Sequence, residues 1–140
     1  MSEKKSDVTI IIEQITAFEK TQEKSEENLI SFLQELKNAL QVSHWNTDSY
    51  AQHVAFDLIL GDITGETDTM IEAFQGKYER ISTPTSIRSH LISQEYIEDC
   101  IGKLNSPEKF GIKESDKDLL NMRDEITGTL HKLKYLLSLK

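Results

Sequence analysis

His53, Asp57, Asp68 and Glu72 follow one another at separations of four, eleven and four residues. On an α-helix, at about 100° per residue, they lie at roughly 0°, 40°, 60° and 100° around the axis, so all four share one face. Neutral imidazole and carboxylate are the donors that hold hard-to-borderline divalent metals, and an i, i+4 pair converges on one point. His53/Asp57 and Asp68/Glu72 are two such pairs. Their nearer members stand about 16 Å apart along the axis at 1.5 Å per residue, too far to share an ion within one helix. A second copy running antiparallel removes that difficulty. With a two-fold axis crossing near residue 62 or 63, Asp68 and Glu72 of one chain face His53 and Asp57 of the other, and two equivalent sites form.

Gly61 and Gly65 sit beside that axis, at roughly 80° and 120° on the same face. Each costs a helix about 1 kcal/mol relative to Ala, and close approach of two backbones is a reason to keep both. Isologous pairing of this kind is the commonest form of oligomer. His44 ends the preceding helix beside Trp45, nine residues before His53. A short turn would return it to the His53/Asp57 pair as a further nitrogen ligand. His90 and His131 have no comparable neighbours and are read as structural or solvent-exposed.

The elements that must carry these residues are helical. From Ser25 to Trp45 the apolar positions Leu29, Phe32, Leu33, Leu36 and Leu40 recur three or four apart. Thr47 or Asp48 could cap a second helix, expected from about Ser49 to Ile81, with Val54, Leu58, Met70, Ile71, Phe74, Tyr78 and Ile81 marking its apolar side. Ser82-Thr83-Pro84-Thr85-Ser86 stops it. A third helix is expected to carry Ile87, Leu91, Ile97, Ile101 and Leu104, ending at Asn105-Ser106-Pro107. Ser115-x-x-Asp118 resembles a capping box for a last helix with Leu119, Ile126, Leu130, Leu133 and Leu137. Four amphipathic helices with short connections predict an all-α, antiparallel four-helix bundle over 25–140. Val8, Ile11, Ile12, Ile15 and Phe18 form an extra helical stripe in an N-terminal extension, 1–24.

Composition narrows the function classes. The 140 residues include only 2 Pro and 6 Gly, too little punctuation for an all-β protein. The single Cys100 excludes an intrachain disulfide, and its neighbours Glu98 and Asp99 disfavour a reactive thiolate. A net charge of −8 argues against whole-surface attraction to nucleic acid. No apolar run approaches the roughly 18 residues of a membrane span, and Glu13 and Gln14 interrupt any signal-peptide core. A cytoplasmic protein with no membrane partner is the expectation.

The pattern resembles the Dps family, the miniferritins, in His44-Trp45-Asn46, His53-x3-Asp57 and Asp68-x3-Glu72. Tyr78-Glu79-Arg80-Ile81 is similar to the end of that family's helix B, and 118–133 to its helix D. The resemblance implies a ferritin-like bundle and a ferroxidase that oxidises Fe(II) with hydrogen peroxide or oxygen and stores the product in a twelve-subunit shell. It places His44, His53 and Asp57 from one subunit, with Asp68 and Glu72 from its mate, at the catalytic metal site, and Trp45 beside it. It further implies a homo-oligomer, a two-fold dimer or a dodecamer, with zinc as a possible substitute for iron. The basic tail that often serves DNA binding in the family is represented only by Lys4 and Lys5, so DNA binding is expected to be weak or absent. Two alternatives use the same sequence: a non-catalytic ferritin-like protein binding metal structurally at a dimer interface, and a metal-free helical interaction module.

Overall fold

The computed structural model describes residues 4–83 and 85–139, with the backbone alone for 18–26. Residues 1–3 of the N-terminal extension, the side chain of Phe18 and the stop signal Pro84 therefore lie outside the described residues. The described residues form five α-helices and no strand: α1 (Asp7–Glu26), α2 (Leu29–Asn46), α3 (Tyr50–Lys77), α4 (Gln94–Leu104) and α5 (Lys117–Ser138), with a 3-10 turn at Pro107–Phe110.

Local chemistry sets these boundaries. Asn28, not Ser25, starts α2: its side chain accepts from Ser31 N at 2.9 Å, and Ser31 Oγ accepts from Asn28 N at 2.9 Å. Ser49, rather than Thr47 or Asp48, caps α3 by accepting from Gln52 N. Helix α3 stops at Lys77, short of the expected Ile81. The capping box expected at Ser115-x-x-Asp118 is absent. Asp116 precedes α5 without a side-chain cap, because its carboxylate is taken by Tyr78, Lys77 and the Lys113 amide.

The expected third helix is much shorter than its apolar spacing suggested. Ile87 and Leu91 lie outside any helix and are exposed. Helix α4 begins only at Gln94, where Ser93 accepts from Tyr96 N at 3.0 Å. The intervening chain is a long crossover, not the short connection expected. It runs along α2 in the same direction. Asn28 Nδ2 donates to Ser82 O at 3.0 Å, Asn38 Nδ2 to Ser89 Oγ at 3.0 Å, and Ile92 N to Ser43 Oγ at 2.8 Å.

Side-chain pairings fix the directions of the helices. Lys77–Asp118, Glu66–Thr129 and Asp62–Lys132 run α3 against α5. Lys134–Glu98 and the Arg123 bond to Leu104 O run α5 against α4. Helix α3 thus opposes α2 and α5, and lies parallel to α4 across the crossover. Leu33, Leu36, Leu40, Ile59, Ile63, Met70, Leu119, Ile126, Leu130 and Leu133 fill the space between α2, α3 and α5, with Ile97 and Leu104 closing it from α4. Each such side chain contributes of the order of 2 kcal/mol through burial. Of α1, no side chain of the described residues 7–17 joins this core.

Candidate metal centre

Helix α3 buries Ala55, Phe56, Ile59, Ile63, Met70 and Phe74, which fall roughly between 200° and 300° on the same wheel that sets His53 at 0°. Val54 and Leu58, expected on that apolar side, are each 46% exposed. The reason is angular: they lie at roughly 100° and 140°, on the face that carries Asp57, Gly61, Gly65, Asp68 and Glu72. The surface of α3 opposite the core is therefore mixed, with two large apolar side chains, two glycines and three carboxylates. A Cβ built on Gly61 or Gly65 meets nothing within 4 Å in the single chain. Fold-internal packing thus gives no reason for either glycine.

The turn between α2 and α3 brings His44 and His53 together. Their rings stack at 3.9 Å between centroids and 20° between planes. His44 Nδ1 donates to His53 O at 2.9 Å, and His53 Nδ1 donates to His44 O at 3.0 Å. A carbonyl only accepts, so each Nδ1 carries the hydrogen, and the neutral tautomer with this bond has its lone pair at Nε2. This is the second-sphere arrangement that fixes the tautomer and orientation of a metal-ligating histidine. The sequence placed His44 near His53; the reciprocal clasp was not legible, because it depends on the turn's backbone path. Trp45, next to it, is 71% exposed and does not plug the core.

Asp57 follows His53 by one helical turn on the same face and is exposed, as are Asp68 and Glu72 farther along. Among the described residues, no three His, Cys, Asp or Glu side chains of one chain converge into a metal-holding group. The single chain thus does not gather His44, His53 and Asp57, expected together from one subunit, into such a group, and the axial separation keeps Asp68 and Glu72 apart from them. Between Tyr50 and Gly76, α3 carries Asp57, Asp62, Glu66, Asp68 and Glu72 and no Lys or Arg. Lys132 lies 4.0 Å from Asp62, but among the described residues no ion pair engages Asp57, Asp68 or Glu72. Two such faces brought together would repel unless cations lay between them.

The other titratable groups have structural explanations. Burial pushes the Cys100 thiol up to about 11, with Asp99 a lesser contributor, which disfavours the thiolate. Burial likewise raises the Glu66 carboxyl, against the lowering effect of the Thr129 hydroxyl bonded to it at 2.7 Å. His90 stacks on Tyr96 at 5.0 Å, and His131 is exposed, both as the sequence suggested. No helix among the described residues is long and apolar enough to cross a membrane.

A family model described as a family of unknown function (DUF5856) matches residues 44–137, which include all five candidate ligands. An uncharacterized 14.6 kDa protein of the mobD-ri intergenic region of Enterobacteria phage T4 is 30% identical over 98 residues, covering 70% of this chain and 76% of that protein. No solved structure matches the chain.

Proposed function

We propose that this chain, which belongs to the DUF5856 family, is a ferritin-like, Dps-like ferroxidase that takes Fe(II) as its substrate at sites completed between two copies paired along α3. The observation that carries this reading is the His44–His53 clasp. Two imidazoles are held through Nδ1, which leaves Nε2 as each ring's other nitrogen, and His53 lies one turn before Asp57 on an exposed, acidic face of α3. The helix directions and the single long crossover between α3 and α4 support a ferritin-like four-helix bundle, a connectivity that up-down bundles lack. Nitrogen and carboxylate donors on an open surface suit non-haem iron, with zinc able to substitute.

In this mechanism His44 and His53 offer Nε2, and Asp57 a carboxylate, from one chain. Asp68 and Glu72 of a second chain complete the donor set across the two-fold axis. The carboxylates neutralise the incoming cations, which favours loss of an electron from each. Hydrogen peroxide takes one electron from each of two Fe(II), its O–O bond breaks, and its oxygens leave at the level of hydroxide or water. Oxygen is the alternative oxidant. The oxidised iron is then stored, in a dodecameric shell if the dimers assemble further. A cytoplasmic setting and little or no DNA binding go with this reading.

Anaerobic Fe(II) titration followed by peroxide tests it. Saturable Fe(II) binding with about two electrons transferred per peroxide is expected, and Asp57→Ala with Glu72→Ala should abolish both. Metal-dependent pairing without turnover would replace the ferroxidase with a structural metal seam. No metal binding at all would leave a helical interaction module.

A further inference from the structure

Helix α1 presents an apolar surface that neither the core nor the candidate centre uses. Val8, Ile11, Ile12 and Ile15 are between 51% and 67% exposed, and no side chain of residues 4–17 joins the core. At 100° per residue these four fall within about 100° of arc, a single stripe. The helix start is otherwise well made. Ser6 Oγ accepts from Thr9 N at 3.2 Å, and Lys5 Nζ holds both carboxylate oxygens of Glu13 at 2.8 and 3.0 Å. Short isolated helices are marginal in water, and a contiguous apolar stripe of β-branched residues adds a surface that water disfavours.

We propose that α1 is a self-association helix, its stripe covered by the same stripe of a second copy. Three observations select this occupant. The positions 8, 11, 12 and 15 read the same in both directions. An antiparallel copy about a two-fold axis between 11 and 12 therefore sets Val8 against Ile15 and Ile11 against Ile12, twice. Over residues 4–26, Lys4, Lys5, Lys20 and Lys24 stand against Asp7, Glu13, Glu19, Glu23 and Glu26, a net −1 in a chain of net −8. Two α1 helices thus meet with little net repulsion, whereas most of this molecule's surface would repel an acidic partner. Helices that lie on membranes carry an excess of Lys and Arg along their polar face; α1 has neither between Asp7 and Ala17, and its Lys20 and Lys24 are outnumbered by Glu19, Glu23 and Glu26. The contact is separate from the α3 seam, so it joins pairs into larger assemblies.

The test is the mass of the full chain by light scattering and sedimentation, in chelator, so that its result does not depend on the metal reading. The wild type is expected to assemble beyond the Ile11→Asp/Ile12→Asp variant by a factor of two or more in mass. That variant should keep its melting temperature, since neither side chain touches the core. Leu58→Asp, on α3, should leave the α1 contact intact. A monomeric wild type, or a mass unchanged in the double variant, overturns the proposal. So does a double variant that loses its melting transition, because the stripe would then pack within its own chain.

Discussion

The amide of Ile92 donates to Ser43 Oγ at 2.8 Å, one residue before His44, so the crossover ends on the turn of α2 that holds a candidate ligand. Ser43 is itself buried. Removing the hydroxyl in Ser43→Ala strands the Ile92 N–H and is expected to cost about 1 kcal/mol, read as a lowered urea midpoint. Because the same residue steadies the last turn of α2, Fe(II) affinity should also fall, by less than in a ligand variant.

Histidine and carboxylate variants separate the clasp from the binding. His53→Ala removes the stacked ring and one of the two Nδ1–carbonyl bonds, so both thermal stability and metal affinity should drop. Asp57→Ala removes no hydrogen bond or ion pair among the described residues and should leave the melting temperature unchanged, while lowering Fe(II) affinity at least tenfold. Calorimetric titration beside a thermal melt reads the two effects separately.

Gly61→Ala and Gly65→Ala reverse sign between monomer and dimer. Nothing lies within 4 Å of either added methyl in the single chain, so each should stabilise the helix by about 1 kcal/mol in dilute, chelated protein. If α3 pairs with its copy there, the same methyl groups push the backbones apart and raise the dimer dissociation constant. Concentration-dependent melts distinguish the outcomes.

Asp116 sets the acid limit of the junction between α3 and α5. The Tyr78 hydroxyl, the Lys113 amide at 2.8 Å and Lys77 at 3.2 Å hold its carboxyl at about 2, below the ordinary 3.8. A folded-state value below the unfolded one means stability that is fully present above about pH 4 and lost as pH falls towards 2. Asp116→Asn should therefore melt several degrees lower than wild type at pH 7. The gap should close as the pH approaches 2.

The helical class and the shared face of His53, Asp57, Asp68 and Glu72 were readable because both rest on one period. The 3.6-residue repeat that sets Leu29, Leu33, Leu36 and Leu40 together also gathers His53, Asp57, Asp68 and Glu72. The same period misled where apolar residues serve another face. Val54 and Leu58 look like core on composition, and only their angle relative to Ile59 and Ile63 removes them from it. Ile87 and Leu91 keep helical spacing, yet the chain there is neither helix nor strand, and is bonded to Asn38 and Ser43 side chains some fifty residues away. Local pattern cannot register such partners, nor the two carbonyls that clasp His44 and His53.

Among the described residues, 79–92 make no backbone–backbone hydrogen bond, and on either side of them the chain closes as a two-helix hairpin, α2–α3 and α4–α5. Cutting the crossover would leave both hairpins their shared apolar interior. Trypsin acting at the exposed Arg80 or Arg88 is expected to yield a nicked protein that elutes and melts close to the intact one. Fragments 1–88 and 89–140, produced separately, should find each other on mixing. The crossover then acts as a tether, supplying effective concentration to two halves that already recognise one another.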